Sequence, residues 1–130
     1  MTPKQLLDAA RDARRHARCQ YSGFAVGAAL LSKDGRVFTG CNIENASYGL
    51  TICAERVALL KALSEGTEGF TRIAIVTESD LPTPPCGPCR QLMWEYADNL
   101  DVILGDLKKQ TARFSLKELF PHPFEAANLS

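Results

Sequence analysis

The sequence predicts a three-layer α/β/α domain built on a mixed five-stranded sheet. Three observations carry this. Segments with helical spacing alternate with short strand-like runs in the order helix, hairpin, helix, strand, helix, strand, strand, helix. An Asp34-Gly35 turn makes the first strand pair an antiparallel hairpin. Residues 105–110 are far too few for the crossover of a dozen or more residues that a parallel pair needs, so the last two strands are antiparallel as well. A chain of 130 residues fits one domain, here residues 1–130.

Thr2 and Pro3 open the first helix, threonine as N-cap and proline at the first helical position. Gln5 stands three residues on, as in a capping box. Leu6, Leu7, Ala10, Ala13 and Ala17 form its apolar stripe. Residues 24–31 (FAVGAALL) predict a strand, Lys33-Asp34-Gly35-Arg36 the turn, and 37–42 the returning strand. The polar loop IENASYGLT leads to a helix over 52–64, rich in good helix formers and stopped by Gly66. Residues 72–77 (RIAIVT) read as a buried strand. LPTPPCGPC holds four of the seven prolines and is irregular. A helix over 89–96, strands over 101–104 and 111–114, and a short helix over 116–120 complete the chain.

Charge narrows the function. Lys plus Arg and Asp plus Glu number 15 each, so no basic excess points to nucleic acid or an anionic membrane. No apolar run approaches the roughly 20 residues that span a bilayer. The amino-terminal segment lacks a hydrophobic signal core, so a cytoplasmic protein is expected. Five cysteines make an odd count, which argues against a closed disulfide framework and toward metal or redox chemistry.

Cys53 opens the second long helix in TICAERVAL, and Cys86 and Cys89 open the third in PPCGPCRQL. A catalytic zinc site usually has three protein ligands and one open position. A CxxC pair supplies two ligands from one turn, and Cys53 is the expected third. Helix N-termini favour the thiolate form of each cysteine. Three thiolates around one divalent cation leave a net charge near minus one, which Arg56 is placed in sequence to offset. Glu55 is the expected proton carrier, able to take a proton from an attacking water and pass it to the substrate. Residues two apart on a regular helix face differently, so Cys53 and Glu55 share a site only if Cys53 sits at the cap.

Other readings compete. CGPC is typical of thioredoxin-like redox sites, although that motif normally follows a strand near the start of the chain. A structural zinc site would want a fourth ligand, for which Cys19, Cys41, His16 and His122 are available. Cys19 and Cys41 read better as buried small apolar residues, His16 as a solvated helix residue, and Leu92 and Trp94 as core.

CAE followed by PCGPC resembles the zinc deaminase signature of a metal ligand, one residue, glutamate and a later Pro-Cys-x-x-Cys, a pattern with a known mechanism. GCNIENASYGLTICAERVAL is similar to the small homotetrameric cytidine deaminases, and the likeness covers residues 21–120. It implies the cytidine deaminase fold, one zinc ion per chain on Cys53, Cys86 and Cys89, and Glu55 as catalytic residue. It implies that Phe24 packs on the pyrimidine, Asn42 and Glu44 bind the ribose hydroxyls, and Ala54 offers backbone contacts to the base. It also implies that Tyr48 and Phe124 reach a neighbouring subunit's substrate in a homotetramer with shared active sites. Family members acting on RNA or single-stranded DNA insert a helix between the last two strands, whereas those acting on nucleosides keep a hairpin. The short connection here implies hydrolysis of free cytidine and deoxycytidine to uridine and deoxyuridine, a step of pyrimidine salvage.

Overall fold

Helix α1 (Pro3–Arg14) begins with a reciprocal cap: the Thr2 hydroxyl accepts from Gln5 N, and the Gln5 side chain accepts from Thr2 N. The computed structural model describes residues 1–129. Leu6, Leu7 and Ala10 are buried, but the helix ends at Arg14, so Ala17 of the expected stripe lies beyond it. Past that end Arg18 pairs along the main chain with Ile43, which draws the chain away from the helix axis.

Strands β1 (Gly27–Ser32), β2 (Val37–Cys41), β3 (Phe70–Val76), β4 (Asp101–Gly105) and β5 (Gln110–Ser115) form one sheet in the order β2-β1-β3-β4-β5. Only β3 and β4 run parallel; the other neighbours are antiparallel. Helix α3 (Gly87–Ala97) supplies the crossover between β3 and β4 that parallel pairing requires. The mixed sheet and the antiparallel final pair agree with the sequence prediction.

Side chains alternate across the sheet and divide the core in two. Ala28, Leu30, Ile73, Ile75, Val102 and Leu104 face α2 (Ala54–Ser64), α3 and the short α4 (Leu116–Leu119). Ala29, Leu31, Ala74, Val76 and Ile103 face Leu6, Leu7 and Ala10 of α1. Burial on both faces explains why β1 and most of β3 read as continuous apolar runs.

Element boundaries differ from expectation in informative places. β1 starts at Gly27 rather than at Phe24, because residues 24–26 bond to the Asn42 side chain as well as to main chain. α2 starts at Ala54, since Ile52 pairs with Ile43 and Cys53 is the N-cap. α3 starts at Gly87, with Pro88 inside its first turn. Leu92 and Trp94 pack against the core from its margin, and Cys19 and Cys41 are half-buried rather than interior.

Both β2 and β3 run opposite to β1, so their C-terminal ends open at the same edge of the sheet. The chain leaves β2 toward α2 and leaves β3 toward α3. Two helix starts distant in sequence therefore meet at one edge. No helix among the described residues is long and apolar enough to cross a membrane.

Candidate active site

Cys53 caps α2 with extended backbone (φ −70°, ψ 153°), and Cys86 caps α3 in the same way (φ −68°, ψ 168°). Neither cap is closed by a side-chain hydrogen bond, so both sulfurs are free to turn toward each other. Cys86 Sγ lies 3.8 Å from Cys53 Sγ and 3.3 Å from Cys89 Sγ. All three sulfurs fall within 4.8 Å of one another. Sulfurs on a tetrahedral zinc at about 2.3 Å stand about 3.8 Å apart, so the donor set fits that ion with small adjustments. Cys89 is buried, Cys53 half-buried and Cys86 exposed, which leaves the cluster open on one side.

Among the described residues no fourth cysteine, histidine or carboxylate joins this cluster. A closed structural site is therefore not what these residues build. The redox alternative fares no better, because the CxxC pair has a third sulfur in contact and opens a helix late in the chain.

Glu55 lies in the first turn of α2 and is only 5% exposed. Burial drives its carboxyl pKa up from the ordinary 4.5 to about 7, the neighbouring Cys53 charge adds to the rise, and the Cys89 thiol and Arg56 oppose it. The Cys53 thiol is pulled down to about 5, chiefly by the hydrogen bond from Cys89 and then by Arg56 and Cys86. The same contact with Cys53, together with burial, pushes Cys89 up. Before any metal binds, this contact favours the thiolate at Cys53 and the thiol at Cys89.

Arg56 reaches back along α2, and its Nη2 donates to Thr51 O at 3.2 Å and to Cys53 Sγ at 3.7 Å. Its Nε is buried without a protein partner. The side chain thus brings positive charge to the sulfur cluster.

Asn42, Glu44 and the Phe24 segment are joined to the cluster by hydrogen bonding through the Ile43–Ile52 bridge. Ile43 and Ile52 exchange main-chain hydrogen bonds at 3.0 and 2.9 Å in an antiparallel bridge, which sets Asn42 beside Cys53. Asn42 is 7% exposed; its Oδ1 accepts from Val26 N at 2.9 Å and its Nδ2 donates to Phe24 O at 2.8 Å. It therefore fixes the segment carrying Phe24, whose ring is 42% exposed. Glu44 accepts from the Tyr21 and Ser22 amides, each at 3.0 Å, and from the Ser22 hydroxyl at 2.5 Å. The Ser22 bonds hold its carboxyl below the usual range. Ala54 is fully buried, its carbonyl packed over Gly40.

Tyr48, on a short 3-10 helix (Tyr48–Leu50), is 85% exposed and lines a cavity of about 380 Å³ with Tyr21, Ser22, Glu44, Asn45 and Thr51. Phe124 lines a different, open cavity with Lys117 and His122, so one chain does not bring Tyr48 and Phe124 together. Sequence reasoning missed Ser22, Gly40 and Arg14. Arg14 donates from Nε to Ala25 O at 3.0 Å and steadies the Phe24 segment from α1. Nothing in the local pattern marks these three, since each acts through a partner distant in the sequence.

Comparison with known proteins agrees with this geometry. Residues 1–104 match the family described as the cytidine and deoxycytidylate deaminase zinc-binding region. A cytidine deaminase of Halalkalibacterium halodurans is 48% identical over 131 aligned positions, which cover 100% of this chain and 99% of that one. The crystal structure of a cytidine deaminase from Burkholderia pseudomallei superposes with a TM-score of 0.92 at 47% identity, covering 95% of this chain and 100% of its own. The cytidine deaminase of Mycobacterium tuberculosis gives 0.81 at 37% identity, with 96% and 98% covered.

Proposed function

Because this chain belongs to the family of zinc-dependent cytidine and deoxycytidylate deaminases, we propose that it hydrolyses free cytidine and deoxycytidine to uridine and deoxyuridine, releasing ammonia in pyrimidine salvage. The observation that carries this reading is the triad of sulfurs within 4.8 Å of one another beside a Glu55 carboxyl only 5% exposed.

Cys53, Cys86 and Cys89 would hold the zinc ion, which would supply Lewis-acid chemistry for activating water near neutral pH. Glu55 does the proton work. Only 5% exposed in the first turn of α2, it can accept a proton from the attacking water and return it. Glu55 passes that proton to ring nitrogen 3 as the water oxygen bonds to ring carbon 4. It then takes the proton of the new hydroxyl and hands it to the amino group, so that the C4–N bond breaks, ammonia leaves and the carbonyl of uridine forms. Arg56 offsets the negative charge of the sulfurs. Phe24 packs on the pyrimidine, Asn42 and Glu44 hold the ribose hydroxyls, and Ala54 offers its backbone to the base. Asn42 and Glu44 are already fixed by hydrogen bonds to residues 21–26, so little side-chain freedom is lost on binding.

The site is completed in a homotetramer, where Tyr48 and Phe124 cover a neighbour's substrate. Their exposures of 85% and 57% in the single chain support this reading. Five free cysteines and three clustered thiols suit the reducing cytoplasm. Neither a nucleic acid nor a membrane is part of the activity.

The test is the ultraviolet change on conversion of cytidine by purified protein, before and after zinc removal and on zinc return. Zinc-dependent conversion is expected. A folded, zinc-loaded tetramer that leaves both cytidine and deoxycytidine intact overturns the assignment, and a clean monomer mass by light scattering overturns the shared site.

A further inference from the structure

Cys86 is the exposed ligand of the three, and the hydrogen bonds by which its loop holds itself, Thr83 Oγ1 with Thr77 Oγ1 and with Leu81 O, lie before Pro84 and do not reach it. Pro82, Pro84, Pro85 and Pro88 have no N–H to donate, so this stretch offers mostly carbonyls for anchoring. The cap of α3 at Cys86 has no side-chain hydrogen bond either. Such a loop needs a donor brought to it from outside.

Arg90 is that donor. From the first turn of α3 its Nε donates to Pro85 O at 2.7 Å, the carbonyl immediately before Cys86. Its Nη1 donates to Leu119 O at 2.5 Å, at the end of α4. The Arg90 amide closes the turn onto Cys86 O at 3.0 Å. Helix α4 is a firm anchor, because Leu116 is fully buried in the core that also holds Cys89 and Met93. Neither side-chain bond goes to a carboxylate. The guanidinium acts as a rigid two-ended fork between two main-chain carbonyls, a task that a lysine ammonium on a flexible stem does not reproduce. Gln91, the next residue, donates from Nε2 to Phe124 O at 2.7 Å, a bond to the tail rather than to the carbonyl before Cys86.

We propose that Arg90 is the positioning residue for Cys86, tying the carbonyl before this ligand to the anchored end of α4 and so setting the third sulfur against the other two. This rests on the reading of Cys53, Cys86 and Cys89 as zinc ligands. Its consequence is kinetic and geometric: without Arg90 the exposed sulfur swings away and the ion leaves early.

The experiment compares wild type, Arg90→Ala, Arg90→Lys and Gln91→Ala, each full-length. Samples loaded with Co²⁺ report the sulfur geometry through thiolate charge-transfer and d–d absorption. Zinc-loaded samples report the rate of metal transfer to a chromophoric chelator, and near-ultraviolet circular dichroism checks folding. Arg90→Ala is expected to release zinc about tenfold or more faster, as loss of a residue that orients a ligand does, with altered d–d bands in a folded protein. Arg90→Lys shifts in the same direction, and it carries the comparison if Arg90→Ala does not fold. Gln91→Ala keeps the wild-type rate and bands. Wild-type release in Arg90→Lys, or release in Gln91→Ala as fast as in the Arg90 variants, overturns the proposal. A wild type that takes up Co²⁺ without thiolate charge-transfer absorption refutes the ligand reading instead.

Discussion

Cys53 Sγ and Cys86 Sγ stand 3.8 Å apart across two helix starts that are 33 residues distant in the chain. Without metal, the hydrogen bond from Cys89 lowers the Cys53 thiol to about 5, and the same contact together with burial raises the Cys89 thiol. Binding a cation to all three sulfurs must displace the Cys89 proton. Zinc affinity is therefore expected to rise with pH across the neutral range, by about tenfold per pH unit for each proton released. Chelator competition from pH 6 to pH 8 measures this, and an affinity independent of pH would contradict the arrangement.

Glu55→Gln tests separately the proposed proton-carrying role of Glu55 and the cost of burying its carboxyl. In the zinc-loaded protein the amide cannot carry a proton, so turnover should fall by two to four orders of magnitude while zinc is kept. Near-normal turnover would remove Glu55 from the chemistry. In the metal-free protein the same change alters the pH dependence of stability. The Glu55 pKa is raised from 4.5 to about 7, so between those values the folded chain holds a proton that the unfolded chain has lost. Stability from this group is fully present below pH 4.5, declines as pH rises, and is gone above about pH 7. At about 1.4 kcal/mol per pH unit the loss is about 3 kcal/mol. The lowered Cys53 thiol adds stability over the same range in both proteins, so the test is the difference between them: any advantage of chelator-treated wild type over Glu55→Gln should shrink from pH 5 to pH 8. Parallel pH profiles would show that burial does not burden the carboxylate.

The parts of this molecule legible in sequence are those encoded by short-range pattern. Thr2, Pro3 and Gln5 announce the first cap because all its partners lie within three residues. The hairpin between β1 and β2 is announced by Asp34-Gly35, with Gly35 at φ +90°. The start of α3 was less legible, because Gly87 and Pro88 read as breakers and proline in a first turn is a starter instead. Cys53, Glu55, Cys86 and Cys89 declare themselves by spacing. Arg90 and Asn42 do not, because their partners are main-chain carbonyls and amides that only the folded chain brings near.

Gly40 shows how closely α2 sits on the sheet. A Cβ at this position would lie 2.4 Å from Ala54 O and 2.7 Å from Ala58 N, both main-chain atoms that cannot swing aside. Ala54 separates Cys53 from Glu55, so any shift of α2 moves both of their side chains together. Gly40→Ala is expected to cost about 1–3 kcal/mol of stability, the usual penalty of overpacking, and to lower turnover at saturating substrate. Denaturant unfolding with parallel kinetics checks both. Unchanged stability would mean that the helix has room to retreat.

Asn42 joins the Phe24 segment to the strand that runs beside Cys53, and its two amide ends do different work. Oδ1 satisfies the Val26 amide, and Nδ2 satisfies the Phe24 carbonyl. Asn42→Asp keeps an acceptor for Val26 N but sets a second acceptor against Phe24 O. Asn42→Ala leaves both main-chain groups without their partner. Loss of a buried partner costs about 1–3 kcal/mol, so both variants should be less stable than wild type. In Asn42→Asp the repulsion falls on the Phe24 side alone, which frees the ring proposed to pack on the pyrimidine. KM for cytidine should therefore rise in Asn42→Asp even at temperatures where the protein is fully folded. Thermal melts paired with initial-rate kinetics separate the two effects, and a destabilised Asn42→Asp with unchanged KM would confine Asn42 to holding the fold.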